Sequence, residues 1–429
     1  MWICSQLGAR EHFAVPRALR QDGQLAALYT DFWAGPVTRG VWKQCRELNL
    51  ENRKGRAIEA LRSMASRYHS DLRGGQSLAV RSWNLRALGW EMILRNRKSG
   101  GGNQYHGFIE VGRRFATRVR EDLKRRSEVN PEFLFFAYDT GALEALEWCR
   151  EQGVKCVLNQ MDPNRVETDL VHAEEKLWPG WVLQSERVPE EYFARREQEW
   201  AAADRIVVNS EFSRQALVQQ GVAAEKLTVI PLSYEPDQPH WKSEIRIWKS
   251  DQPLRVLFLG QVILRKGIQY LIAAARQLER ENIHFDVVGS IGISPAAMAT
   301  APANMTFHGR TGRDEAARWY RQSHVFVLPT LSDGFALTQL EAMAQGLPVI
   351  ATPCCGTVVS DGVDGFVIPA RDAGLLAHTL QRYLSQPELV ASQSAAATVK
   401  AGRFTLNRLG TDLKQLAASL ECRNTAGRR

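Results

Sequence analysis

The most chemically suggestive stretch of this chain holds two carboxylates, Asp333 and Glu341, with seven residues between them. An apolar run, Val325 to Leu328, reaches Pro329, a short loop covers Thr330 to Asp333, and Gly334, Phe335 and Ala336 lead into a helical pattern carrying Leu337, Leu340 and Met343. Gly346 and Pro348 end that pattern. The helical rise separates the two acids by on the order of 10 Å, too far to share a proton. Such a pair suits two acceptors that hold hydroxyl groups on two parts of one long ligand. A plainer reading leaves Asp333 as a helix cap and Glu341 on a solvated face. The amides of Gly334 to Leu337 open at the strand-to-helix turn, where with the helix dipole they can receive phosphate, and Gly334 lets a bulky anion come close.

Cations stand after an earlier strand, where Leu257, Phe258, Leu259 and Gly260 are followed by Gln261, Arg265, Lys266 and Gly267. An Arg-Lys pair at a strand end either meets an anion or is simply solvated. In the first half of the chain, Gly8 follows the opening strand and reads as a turn. Asp162, before Pro163, reads as a turn residue.

Layers must position these residues. Strand-like runs alternate with helical patterns from end to end: Met1 to Gln6, Phe133 to Ala137, Lys155 to Leu158 and Arg205 to Asn209, then Arg255 to Leu259, His284 to Val288, Met305 to His308, Val325 to Leu328, Pro348 to Ala351 and Gly365 to Ile368. This alternation predicts α/β architecture with mostly parallel sheets. At roughly 150 residues per domain, 429 residues suggest two domains. The Pro-rich stretch Pro231 to Pro253 reads as the connection. The expected organisation is an N-terminal domain over 1–232, a linker over 233–253, a second domain over 254–405 and a last helix over 406–429.

Composition is that of a globular chain, with 44% hydrophobic and 24% charged residues. No apolar run approaches the roughly 18 to 20 residues of a spanning helix. The first residues lack a basic start followed by an apolar stretch, so a cytoplasmic chain is expected. Seven cysteines without a C-x-x-C pair, and nine histidines without ligand spacing, indicate neither a disulfide framework nor a metal site. Residues 1–130 hold 24 basic against 12 acidic side chains, and the rest of the chain 31 against 35. The positive excess therefore belongs to one end and suits an anionic partner there. Part of it lies in Val111 to Ser127, a basic amphipathic pattern with Val111, Phe115, Val119 and Leu123 on one side. It reads as a core helix with a solvated basic face, or as a helix docked on anionic membrane, worth on the order of 1 kcal/mol per basic residue. The glycine run within Ser99 to Asn103 reads as a surface loop.

The run SDGFALTQLEAMAQGLPVIAT, followed by DGVDGFVIP, resembles the donor-site signature of family 4 of the retaining glycosyltransferases, E-G-F-G followed by L-E-A-M-A-x-G-x-P-V. Asp333 replaces the usual Glu and Ala336 the usual Gly. Gly260 through Gly267 is similar to the family's G-R-x-x-x-x-K-G element, with Gln261 where Arg is usual and Arg265 beside Lys266 as a second cation. Ala203 to Ser210, with Gly221, Lys226 and Val229 to Pro231, resembles the end of the family's first domain. The N-terminal domain matches more weakly: Val157 to Asp162 occupies the region where the family often places a His.

The resemblance implies the GT-B fold, two Rossmann-like domains with parallel sheets facing across a cleft. It implies a retaining, metal-independent transfer of sugar from a nucleoside-diphosphate sugar to a glycan or lipid-linked acceptor. No cofactor beyond that co-substrate and no nucleic-acid partner is expected; peripheral association with an anionic membrane is the open partner. Asp333 and Asp162 are the implied catalytic residues. Gly8, Gln261, Arg265, Lys266, Gly334, Phe335, Ala336, Leu337 and Glu341 are the implied substrate-binding residues. A nucleotide-sugar epimerase, hydrolase or degenerate binding relative of the same fold is the nearest rival. A dinucleotide-dependent oxidoreductase or P-loop NTPase lacks its glycine motif here.

Overall fold

A computed structural model describes residues 1–47, 64–65, 67–72, 79–99, 103–126, 133–185, 187–235 and 245–426. The glycine run at 100–102 and the middle of the proline-rich connection, 236–244, lie outside the described residues.

Two wholly parallel sheets organise the chain. The first has seven strands: β1 (Trp2–Gln6), β2 (Leu25–Thr30), β3 (Ala79–Ser82), β4 (Leu134–Tyr138), β5 (Lys155–Gln160), β6 (Arg205–Val208) and β7 (Leu227–Val229), in the order β3-β2-β1-β4-β5-β6-β7. The second has six: β8 (Leu254–Leu259), β9 (Ile283–Val288), β10 (Met305–Gly309), β11 (Val325–Leu328), β12 (Val349–Ala351) and β13 (Gly365–Val367), in the order β10-β9-β8-β11-β12-β13. Every described strand pairing is parallel. Helices cover both faces of such sheets, so central strands are apolar on both sides. All four residues of β11 are buried, which is why VFVL shows no alternation. In each sheet the order reverses beside the first strand, between β1 and β4 and between β8 and β11. At that switch point the loops diverge and leave a crevice beyond the carboxyl ends of the strands.

The helix Gln104–Arg126 begins earlier than its basic pattern suggested. Val111, Phe115, Val119 and Leu123 enter the first core. Its arginines are partly neutralised by acids on the same helix: Arg114 reaches Glu110 at 2.6 Å, Arg118 reaches Glu121 at 3.1 Å and Arg126 reaches Asp122 at 2.9 Å.

The last helix, Leu406–Ala426, packs against Ala14–Gln21 beside the first sheet. Leu406, Leu409, Leu413, Leu416 and Leu420 recur at spacings of three and four and share a cluster with Phe13, Ala14, Val15, Ala18 and Leu19. Burial of each leucine contributes about 1.5–3 kcal/mol as an upper estimate. The connection is pinned at its described ends. Glu235 pairs with Arg17 at 2.9 Å, the Tyr234 amide donates to the Phe404 carbonyl at 2.8 Å, and Trp248 is buried in the second core.

Candidate active site at the domain junction

The loops that follow β8 and β11 are neighbours because the two strands pair. After β8 the chain makes a short turn, Leu264–Lys266, before the helix Ile268–Gln277. Gly267 joins them at φ 76°, and an added Cβ there would stand 1.9 Å from the Pro329 carbonyl oxygen. The turn is thus clamped on the end of β11. The Leu331 amide and the Thr330 hydroxyl both donate to the Arg265 carbonyl, at 2.9 and 3.1 Å.

Lys266 Nζ consequently meets Asp333 Oδ2 in an ion pair, both side chains being mostly buried. The helix after Asp333 begins at Leu337 with Ala336 as its cap residue and no side-chain cap, so Asp333 does not serve as a helix cap. Arg265 Nη1 donates to the Ser332 carbonyl at 2.9 Å and to Glu167 Oε2 at 3.3 Å. Its Nε and Nη2 take no acceptor among the described residues. Burial opposes the Arg265 charge, but the carboxylates of Glu167, Asp333 and Asp162 outweigh it and hold the guanidinium charged.

The implied helix-mouth donors are only partly available. The Ala336 amide donates to the Cys355 carbonyl at 3.1 Å, and the Phe335 and Ala336 side chains are buried in the second domain. The amides of Gly334 and Leu337 take no acceptor among the described residues. The open space expected over Gly334 is also occupied. An added Cβ would stand 2.0 Å from the Met161 carbonyl oxygen and 3.5 Å from the Asp162 Cα. Gly334 therefore admits the backbone of the first domain.

Glu341 is half-buried and accepts the Tyr320 hydroxyl at 2.8 Å, so its helix face is not simply solvated. Burial, reinforced by the Glu341 charge, pushes the Tyr320 hydroxyl well above its usual range. Gln261 is exposed where its loop leaves β8.

From the first domain, Asp162 arrives at the end of β5. Its Oδ1 lies 2.9 Å from Arg196 Nη2 and accepts the Asn164 amide at 2.8 Å. Arg196 also pairs with Asp139; their side chains are 2% and 3% exposed against 36% for Asp162. Burial resists the Asp162 charge, but the Arg196 guanidinium outweighs it and holds this carboxyl below its usual range. Burial raises Asp139 instead.

Gly8 adopts φ 72°, donates its amide to Asp31 Oδ1 at 2.9 Å, and faces open space on its Cβ side. Just beyond it Glu11, His12 and Phe13 all take positive φ, at 50°, 52° and 61°. Non-glycine residues hold such a conformation only when their surroundings enforce it. The turn directs Glu11 toward the ends of β4 and β5, where its carboxyl accepts Tyr138 Oη at 3.2 Å and Asn159 Nδ2 at 3.3 Å.

Sequence reasoning missed the helix Arg165–Leu177. It departs from the end of β5 and lies against the second domain. Glu167 accepts the Ser332 hydroxyl at 2.8 Å as well as Arg265. Glu174, fully buried, accepts Gln269 Nε2 at 2.8 Å, the Tyr270 hydroxyl at 2.9 Å and Arg371 Nε at 2.5 Å. The one local signal was two acids seven residues apart, which share a helix face.

Residues 253–386 match the family model described as Glycosyl transferases group 1. A D-inositol 3-phosphate glycosyltransferase of Streptomyces griseus is 38% identical over 213 residues, 44% of this chain and 45% of that protein. The amylovoran biosynthesis glycosyltransferase AmsK of Erwinia amylovora is 28% identical over 223 residues, 47% of this chain and 54% of that protein. The chain spans about half the length of the curated relatives it matches. Among solved structures, the sucrose-phosphate synthase of Thermosynechococcus elongatus covers 98% of this chain and 99% of its own, with a TM-score of 0.58 at 17% identity. The Anabaena protein Alr3699/HepE, solved in complex with UDP, covers 98% and 100%, with a TM-score of 0.56 at 14% identity. The chain thus has the GT-B fold, and its residues 253–386 are similar to the group 1 glycosyl transferases.

Proposed function

We propose that the chain is a retaining, metal-independent glycosyltransferase that moves a sugar from a nucleoside-diphosphate sugar to a glycan or lipid-linked acceptor. The observation that carries this reading is the cluster at the ends of β8 and β11, where Lys266 pairs with Asp333 and Arg265 donates to the Ser332 carbonyl of the same loop, just before the amides of Gly334 and Leu337. Departure of a nucleoside diphosphate builds negative charge on its phosphates, and fixed cations with oriented amides stabilise charge where it forms. In this reading Arg265 and Lys266 take the diphosphate, Asp333 accepts the sugar hydroxyls and Glu341 accepts those of the ribose. Exposed Gln261, in place of a cation, leaves Arg265 as the second positive group.

Asp162 approaches from the acceptor side. Held anionic by Arg196, it suits stabilisation of positive charge on the sugar carbon better than donation of a proton. Gly8 and the strained turn behind it edge the same side of the cleft. Transfer with retention proceeds on the face the phosphate leaves, and that phosphate receives the acceptor proton, so no close carboxylate pair is required. The Arg-rich first domain suits an anionic acceptor or membrane surface.

The test is incubation with UDP-, GDP- and ADP-sugars and lipid-linked or glycan acceptors, following nucleoside diphosphate release and the anomeric configuration of the product. Turnover that survives a chelator, yields the retained anomer and is lost in Glu341→Ala is expected. Absence of turnover with every donor, or an inverted product, overturns the reading.

A further inference from the structure

The two acids of the helix Arg165–Leu177 hold the second domain in different ways. Seven residues of helical rise place them about 10 Å apart along one face. Glu174 is at a closed, satisfied point: its carboxylate is 0% exposed and receives three side-chain donors from the second domain. Around it Trp178 packs edge-on to Tyr270, and Ser294 donates its amide and hydroxyl to the carbonyls of Trp181 and Gly180, each at 2.7 Å. This end of the helix is anchored.

Glu167 is at an open point. Its side chain is 22% exposed, and its ion-pair partner Arg265 has only Nη1 engaged among the described residues. A guanidinium pairs best with an anion that meets its fork in a bidentate manner, as phosphate does and as Glu167 here does not. Burial pushes the Glu167 carboxyl upward, and the charges of Asp162 and Asp333 add to this, against the pull of Arg265 and the Ser332 hydroxyl.

We propose that Glu167 is a displaceable stand-in for the donor diphosphate: it latches the ligand-free junction through Arg265, and a nucleoside diphosphate takes Arg265 from it while Glu174 remains as the pivot. The inference rests on the functional reading above and adds a positioning residue to it. Glu167 opposes donor binding by occupying the cation that binds it, and its release frees the first domain to turn about the Glu174 anchor. A residue that merely oriented Arg265 would have the opposite effect, since its loss would weaken binding.

Calorimetric titration of UDP, GDP and ADP into the wild type, Glu167→Gln, Glu167→Asp and Glu190→Gln separates these outcomes. Glu190 pairs with Arg165 on the exposed side, so its variant removes the same charge without touching the junction. Glu167→Gln is expected to bind the preferred nucleoside diphosphate about tenfold more tightly, within the range typical of coupled sites. Glu167→Asp should fall between it and the wild type, and Glu190→Gln should match the wild type. Equal or weaker binding by Glu167→Gln, with the wild type binding normally, overturns the latch alone. Absence of binding by every protein overturns the functional reading and the latch together.

Discussion

Gly334 of the second domain faces Met161 of the first so closely that a methyl group on Gly334 would stand 2.0 Å from the Met161 carbonyl oxygen. That contact sets how near the Asp162 and Asp333 loops can come. Gly334→Ala must push the domains apart while leaving both cores intact. A misplacement of about 1 Å can cost about a hundredfold in rate. Turnover is therefore expected to fall by about tenfold or more, with the melting temperature nearly unchanged. A large loss of melting temperature at normal turnover would place the contact in stability instead.

Glu174 anchors the interdomain helix. Replacing it with Ala leaves Gln269, Tyr270 and Arg371 facing a buried gap. Arg371 is 40% exposed and can recover water, so the loss is expected at about 2–4 kcal/mol, below that of a fully enclosed pair. Urea unfolding should show it, together with earlier separation of the two domains. A loss under about 0.5 kcal/mol, the level of an ordinary surface substitution, would contradict the assignment.

Glu11 ties stability to pH. Burial raises its carboxyl to about 7, against weaker opposing pulls from Tyr138, Asn159 and Arg10. In the unfolded chain it ionises near the usual value of about 4.3. The folded state therefore favours the protonated form. Its stabilising contribution is complete below the unfolded value and is lost as pH rises through about 7. Glu11→Gln should gain melting temperature relative to the wild type between pH 5 and pH 7.5, by about 2 °C or more. A difference that stays constant across this range would show that Glu11 is not raised.

The leucine seam of the last helix is a separate stabilising element. Leu413 is fully buried between that helix and the first domain. Leu413→Ala is expected to destabilise by about 2–5 kcal/mol, seen as a lower denaturation midpoint. An unchanged midpoint would mean that the helix does not hold there.

Much of this architecture is readable in the chain before folding. Runs such as VFVL and RIVV are apolar at every position because helices bury both faces of a parallel sheet, and they mark β11 and β6 plainly. Burial alone does not make a strand legible: β2, Leu25–Thr30, is missing from the runs read above although five of its six residues are buried, and the other strands missing there are short. β3 is a four-residue edge strand, half-buried throughout and carrying Arg81, and β7 has three residues. The Asp333 block and the Arg265-Lys266 pair are legible because each is a compact local pattern at a strand end. What pairs with them is not. Glu167 lies 98 positions from Arg265 and 165 from Ser332, and only the meeting of two domains brings them together. The helix-cap reading of Asp333 failed for a local reason: the loop spends three more residues before the helix begins.

The central claim is that the cations after β8 receive the diphosphate of a nucleotide sugar. Calorimetric titration of UDP-, GDP- and ADP-sugars into the wild type and Lys266→Ala tests it most directly. A charge-assisted hydrogen bond contributes about 1.5–3 kcal/mol. One donor series should therefore bind the wild type and lose about 10- to 100-fold in affinity in Lys266→Ala. Equal affinity in both proteins, or binding of none of these sugars by the wild type, would contradict the account.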